Sequence, residues 1–198
     1  MAAQRGSSRG TAALFGLCLG LATLGCGPAH APPVGVAEHN GRSVLLPVRL
    51  GWVSSERPSG ALPSAVALGG KASGRVLMYF EFAAPSPGPR LLRAELVLSA
   101  SGAPGESIAV ELSRAEAVPG QLLHWSDQPR ARYPRLSARL ASDNLPVRLD
   151  VTELLRAETK PGEPVRLLLR AEPDAAEPLL IETGAAGGAA PRLESYWD

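Results

Sequence analysis

The sequence predicts an all-β fold, an antiparallel jelly-roll-like β-sandwich with one short helix, in a single domain over residues 42–198. Three observations carry that prediction. Apolar residues recur at every second position in segment after segment, which is the period of a strand with one buried face. Clusters of proline and glycine separate these segments at short intervals. Helical periodicity is confined to one short stretch.

The alternation can be followed along the chain. In "GRVLMYFEF", Val76, Met78, Phe80 and Phe82 share one face, opposite Leu77, Tyr79 and Glu81. "LLRAELVLS" sets Leu92, Ala94, Leu96 and Leu98 against Arg93, Glu95, Val97 and Ser99. "SIAVELSR" sets Ile108, Val110 and Leu112 against Ala109, Glu111 and Ser113. "PVRLDV" places Val147, Leu149 and Val151 together, and "PVRLLLRA" does the same for Val165, Leu167, Leu169 and Ala171. Between them lie "PSPGP", "SGAPGE", "KPGEP" and "EPDAAEP". There proline fixes φ and glycine permits the turn. Strands with one apolar face and regular turns describe an antiparallel sandwich. "DVTELLRAE" alone departs from period two. Asp150 or Thr152 can cap a short helix whose Val151, Leu154 and Leu155 face inward.

The chain of 198 residues is long enough to bury a core of its own. Aromatic residues make up only 5% of it, so Leu, Val and Ala must fill that core. The N-terminus reads differently. Arg5 and Arg9 precede an apolar run, "TAALFGLCLGLATLG", that ends at Cys26. A basic head, a short apolar stretch and small residues at its end describe an export signal over 1–25. The run is too short for a comfortable membrane span, which needs about 20 residues. Residues 26–41, "CGPAHAPPVGVAEHNG", are rich in Pro, Gly and Ala and read as a flexible tether. Cys18 leaves with the signal, so Cys26 has no cysteine partner and burial must hold the fold. The formal net charge of +1 falls near neutral once Arg5 and Arg9 are removed. That balance argues against a nucleic-acid partner, which would require a basic surface.

Two resemblances sharpen this reading. The small residues before Cys26 resemble the lipobox of bacterial lipoproteins, although Thr23 stands where such motifs usually place leucine. The resemblance implies lipidation of Cys26 and attachment to a membrane, and Gly27 after it resembles the outer-membrane sorting pattern. The alternative is ordinary cleavage after "AHA" at Ala31, which Pro32 and Pro33 disfavour.

The second resemblance is of segment order. "SGRVLMYFEFAAPSPGPRLLRAELVLSAS", "HWSDQP", "VRLDVTELLRA", "PVRLLLRA" and "LLIETGAAGGAAPRLESYW" together resemble the DNRLRE-type modules of exported bacterial proteins. This covers about residues 43–197 and implies a jelly-roll-like sandwich. Some of those modules are classed as carbohydrate-binding and others as structural or adhesive. Glu81 and Ser126-Asp127 depart from the residues usual in that family, so the resemblance carries the fold better than a ligand.

Five groups of residues are candidates for chemistry or binding. His124, Ser126 and Asp127 lie too close along an extended chain to assemble a triad, and no nucleophile elbow is present. Glu81, Glu95 and Glu111 are acids at outward positions beside arginine-bearing strands, which suits solvated cross-strand pairs better than a glycosidase pair. His30, His39 and His124 have no zinc spacing, and Asp127, Asp143 and Asn144 form no calcium pattern. No catalytic residue, metal or cofactor is therefore expected. Trp52, Trp125 and Trp197 can be sugar platforms or core filler, and core filler is favoured for all three, most for Trp125 because Trp52 and Trp197 lie near segment ends. The cluster Arg130, Arg132, Tyr133 and Arg135 reads as a solvated loop able to meet an anionic polysaccharide.

The expected function is a non-catalytic, lipid-anchored, exported envelope module that binds a cell-surface polysaccharide or envelope protein, with Trp52, Tyr133, Arg130, Arg132 and Arg135 as contacts. The alternatives are a purely structural lipoprotein without a small ligand and a glycan-active hydrolase.

Overall fold

The computed structural model describes residues 41–198 apart from 58–59, 86–89, 104–106, 119–122, 142–145, 159–161 and 186. The expected signal over 1–25, Cys26 and the expected tether up to residue 40 lie outside the described residues. Within them the chain forms β1 (Arg42–Leu45), β2 (Pro47–Ser54), β3 (Ala65–Leu68), β4 (Val76–Phe82), β5 (Leu91–Leu98) and β6 (Ala100–Ser101). There follow β7 (Ser107–Ala115), β8 (Ala131–Ala141), β9 (Val147–Asp150), α1 (Thr152–Glu158), β10 (Val165–Ala171), β11 (Leu179–Glu182) and β12 (Arg192–Trp197). The fold is all-β and sandwich-like, with antiparallel sheets and a single short helix among the described residues.

One layer has the strand order β1-β12-β5-β9, and a second has the order β2-β4-β10-β7-β8. A small sheet, β3-β11-β6, extends the first layer. Two hydrogen bonds show how. Ala94 O accepts from Val151 N–H just beyond β9 (2.9 Å), whereas Ser99 O accepts from Glu182 N–H (2.9 Å). Residues five apart on a strand point to opposite flanks, so β11 lies on the flank that β12 occupies. Hence β6 continues β5, and β11 continues β12 after a loop.

The alternation read from sequence becomes the core. Val76, Met78, Phe80 and Phe82 of β4, with Leu167 and Leu169 of β10, meet Leu45, Leu96, Leu98, Ile181 and Leu193 of the other layer in one buried cluster. Leu92 departs from expectation. It is exposed, and Leu91 is buried instead, because the pairing with β12 shifts between Tyr196 and Trp197. A one-residue irregularity exchanges the two faces of a strand. The short helix forms as read. Asp150 Oδ1 accepts the Thr152 N–H (2.9 Å), and Val151, Leu154 and Leu155 are buried.

Helix α1 also finishes an edge that β9 leaves open. Ala94 N–H donates to Thr152 Oγ1 (2.9 Å), and Arg156 donates to the carbonyls of Leu91 (3.1 Å) and Leu92 (2.9 Å). Side chains thus satisfy backbone groups that a longer β9 would have paired.

The outer face of the β2-β4-β10-β7-β8 sheet is not simply solvated. Val53, Leu77, Tyr79, Ala115, Leu123 and Leu168 form a second cluster there, with Val118, Trp125 and Ala131 packed on it. Of the chain between β7 and β8, residues 116–118 and 123–130 lie over this face as a strap. Arg49 donates to Val118 O (2.7 Å), and Leu123 sits over Gly51, where a Cβ would lie 2.7 Å from the leucine Cδ1. Trp125 therefore packs as filler, but on the outside of the sandwich rather than between its layers. Beneath the strap, burial and the neighbouring Glu81 carboxylate push the Tyr79 hydroxyl up to about 12.

Candidate functional site

"HWSDQP" forms a tight 3₁₀ turn at the end of the strap. Asp127 N–H donates to His124 O (3.0 Å), and Gln128 Nε2 donates to Trp125 O (2.9 Å). Ser126 Oγ donates to Asp127 Oδ2 (3.3 Å). These bonds close a turn, and none of them poises His124 against Ser126. The three acids considered for hydrolysis are each held by arginine on outer faces. Glu81 pairs with Arg166 (3.0 Å), Glu111 with Arg135 (3.3 Å) and Glu95 with Arg93 (2.6 Å). Glu81 and Glu111 are partly exposed, as solvated pairs should be, but Glu95 is buried. Among the described residues, no three His, Cys, Asp or Glu side chains converge as a metal site.

The residues expected to bind do not form one site. Trp52 lies on β2 and Arg132, Tyr133 and Arg135 lie on β8, the two opposite edges of the five-stranded sheet. Four strand spacings separate them, roughly 19 Å. Trp52 turns inward beside Met78 and packs against the main core. The run Arg130–Arg135, read as a loop, instead leads from Arg130 into the edge strand β8, which begins at Ala131. Ser113 pairs with Arg135 but Arg114 pairs with Arg132, so Tyr133 and Pro134 bulge out of the ladder. An edge strand tolerates proline and bulges because its outer side needs no partner.

That bulge presents Tyr133, whose surface is 75% exposed. The Arg135 guanidinium stacks over its ring, 5.1 Å from the centroid. Three residues on, Leu136 enters the wall of an open cleft of about 490 Å³. Leu92 and Arg93 of β5, Asp150, and Thr152, Glu153 and Arg156 of α1 complete the cleft. Burial works to raise the Asp150 carboxyl, but the hydrogen bonds from Thr152 outweigh it and hold Asp150 below its ordinary range. The cleft thus offers a fixed carboxylate, two arginines and an exposed leucine, while Tyr133 stands outside its lining, three residues before Leu136 on the same strand. The helix was legible in sequence, but Leu92 was expected to face inward and Leu136 was not placed. The meeting of the helix with β8 was not legible, because β8 and α1 touch only in the folded chain.

Arg93 also belongs to a charged network on the outer face of the β1-β12-β5-β9 sheet, which sequence reasoning missed. Glu194 and Glu95 are directly opposite on β12 and β5, with Asp150 next in the same row. Glu194 is fully buried and accepts from Arg192 (2.7 Å), Arg42 (2.9 Å), Arg148 (3.0 Å) and Tyr196 (3.2 Å). Arg148 also reaches Glu95 (2.9 Å). Burial would raise the Glu194 carboxyl, but the arginines overcome it and bring it down to about 2. Two adjacent carboxylates are tolerable in one row only because guanidinium donors fill their lone pairs.

The structure is a β-sandwich with an exposed edge strand, β8, and an open cleft lined by both apolar and charged side chains. Comparison with known proteins finds no matching family model and no matching curated sequence.

Proposed function

We propose that the protein is a non-catalytic, exported envelope module of the DNRLRE type, anchored through a lipid on Cys26, that holds a carbohydrate polymer along the β8 rim. The observation that carries this reading is Tyr133. Its ring is 75% exposed on an edge strand with the Arg135 guanidinium stacked over it, an arrangement able to stack against a sugar face. The cleft that Leu136 of the same strand helps to line supplies hydrogen-bonding groups of both signs, which suits hydroxyls. A glycan array with wild type and Tyr133→Ala is expected to show polysaccharide binding that the variant loses, with stability unchanged within about 0.5 kcal/mol. Retention of full affinity by the variant would remove Tyr133 from the site.

The anchor has its own test. Cys26→Ala is expected to move the protein from the membrane fraction to the soluble one, and unchanged fractionation would refute lipidation. A purely structural role is the second reading. It is favoured by the internal pairing of the cleft's charges, since Arg156 already holds Glu153 (2.9 Å) and Thr152 already holds Asp150. A blank array supports that role.

A further inference from the structure

The network on the β1-β12-β5-β9 face is layered by charge. Its acids lie underneath, with the Glu194 and Glu95 side chains 0% and 5% exposed. Its arginines lie on top, with Arg93, Arg42 and Arg148 at 61%, 44% and 41%. Arg192 completes the set at 29%. Each guanidinium spends only part of its five donors on the carboxylates, so the remainder face solvent in orientations the acids fix. Exposed Asp150 sits at the margin of the face. Such a platform is complementary to oxyanions at one plane.

We propose that this face rests on the phosphate headgroups of the bilayer that holds the protein. This rests on the reading that Cys26 is the anchor. The chain leaving Cys26 enters the fold at Arg42, itself one of the platform arginines. The residues between them reach roughly 55 Å at most. The anchor therefore keeps the platform near the membrane at high effective concentration, and weak contacts suffice. Apart from exposed Leu92 and half-buried Val44, the strand side chains of this face are polar or covered, which suits contact with headgroups rather than insertion among acyl chains. Arg93 and Asp150 also line the cleft, so a bilayer on this face and a polymer in the cleft would compete for them, whereas Tyr133 belongs to the other sheet.

The exported protein, purified in detergent and reconstituted into vesicles, can be footprinted with phenylglyoxal and read arginine by arginine. In vesicles containing phosphatidylglycerol, Arg42, Arg93, Arg148 and Arg192 are expected to label about tenfold more slowly than in pure phosphatidylcholine. High salt should abolish the difference, and Arg135 and Arg139 on the far sheet should not change. Equal labelling in the two vesicles overturns the proposal. So does protection by a soluble acidic polysaccharide with none from vesicles. Mass analysis of the Cys26 peptide reports the anchor separately. If it carries no lipid, the same footprint on protein mixed with vesicles still decides the platform.

Discussion

Glu194→Gln is expected to lower the unfolding free energy at neutral pH by about 2–3 kcal/mol, measured by urea titration. The substitution leaves Arg42, Arg148 and Arg192 gathered around a neutral amide, and removing one member of a buried ionic cluster costs more than the cluster's net worth. The pH dependence gives a sharper test. The folded Glu194 carboxyl titrates at about 2 against an ordinary 4.5. Its contribution is therefore fully present above pH 4.5 and is lost as pH falls toward 2. A displacement of that size corresponds to about 3 kcal/mol, trimmed toward 2 by the partial exposure of the arginines. Wild type should lose this stability on acidification, while the variant follows a flatter curve whose remaining slope includes Asp150. Parallel curves for the two proteins would show that the network contributes nothing specific.

Phe80→Ala is expected to cost about 3–5 kcal/mol, the range for deleting a buried phenyl ring. Phe80 is fully buried on β4, which lies between β2 and β10, and its ring stacks on Phe82 with centroids 6.4 Å apart. Few aromatic rings are available to refill the space, and the surrounding leucines belong to both layers. Calorimetry should show a fall in Tm of roughly 10 °C for a domain of this size. A loss below about 1 kcal/mol would mean that the layers collapse onto the cavity and that the core is not close-packed.

The parts of the fold that were legible share one feature: their signal is local. The inner faces of β4, β7, β9 and β10 follow from alternation, and α1 follows from Asp150, Thr152 and the spacing of Val151, Leu154 and Leu155. β8 shows where that reasoning stops. Leu136, Ala138 and Leu140 do alternate with Arg135, Ser137 and Arg139, but Pro134 and the arginines around it suggested a loop. The proline is accommodated because β8 is an edge, and edge position is a property of the sheet order. Trp125 marks a similar limit. Its role as apolar filler followed from its size, whereas the face it fills depended on where the strap runs.

By itself, the sequence determined that this chain builds antiparallel strands, which side chains turn inward, and where one helical turn is capped. Period two and turn chemistry act over a few residues and need no partner. The tertiary structure alone decided which strands lie side by side. Glu95 and Glu194 are far apart in sequence, and nothing near either one announces the other. Alternation tells a residue which side of its strand it occupies but not what stands across from it. Register, set by how both layers bury their apolar faces together, placed the two acids in one row, drew four arginines over them and brought β8 alongside α1 to open the cleft.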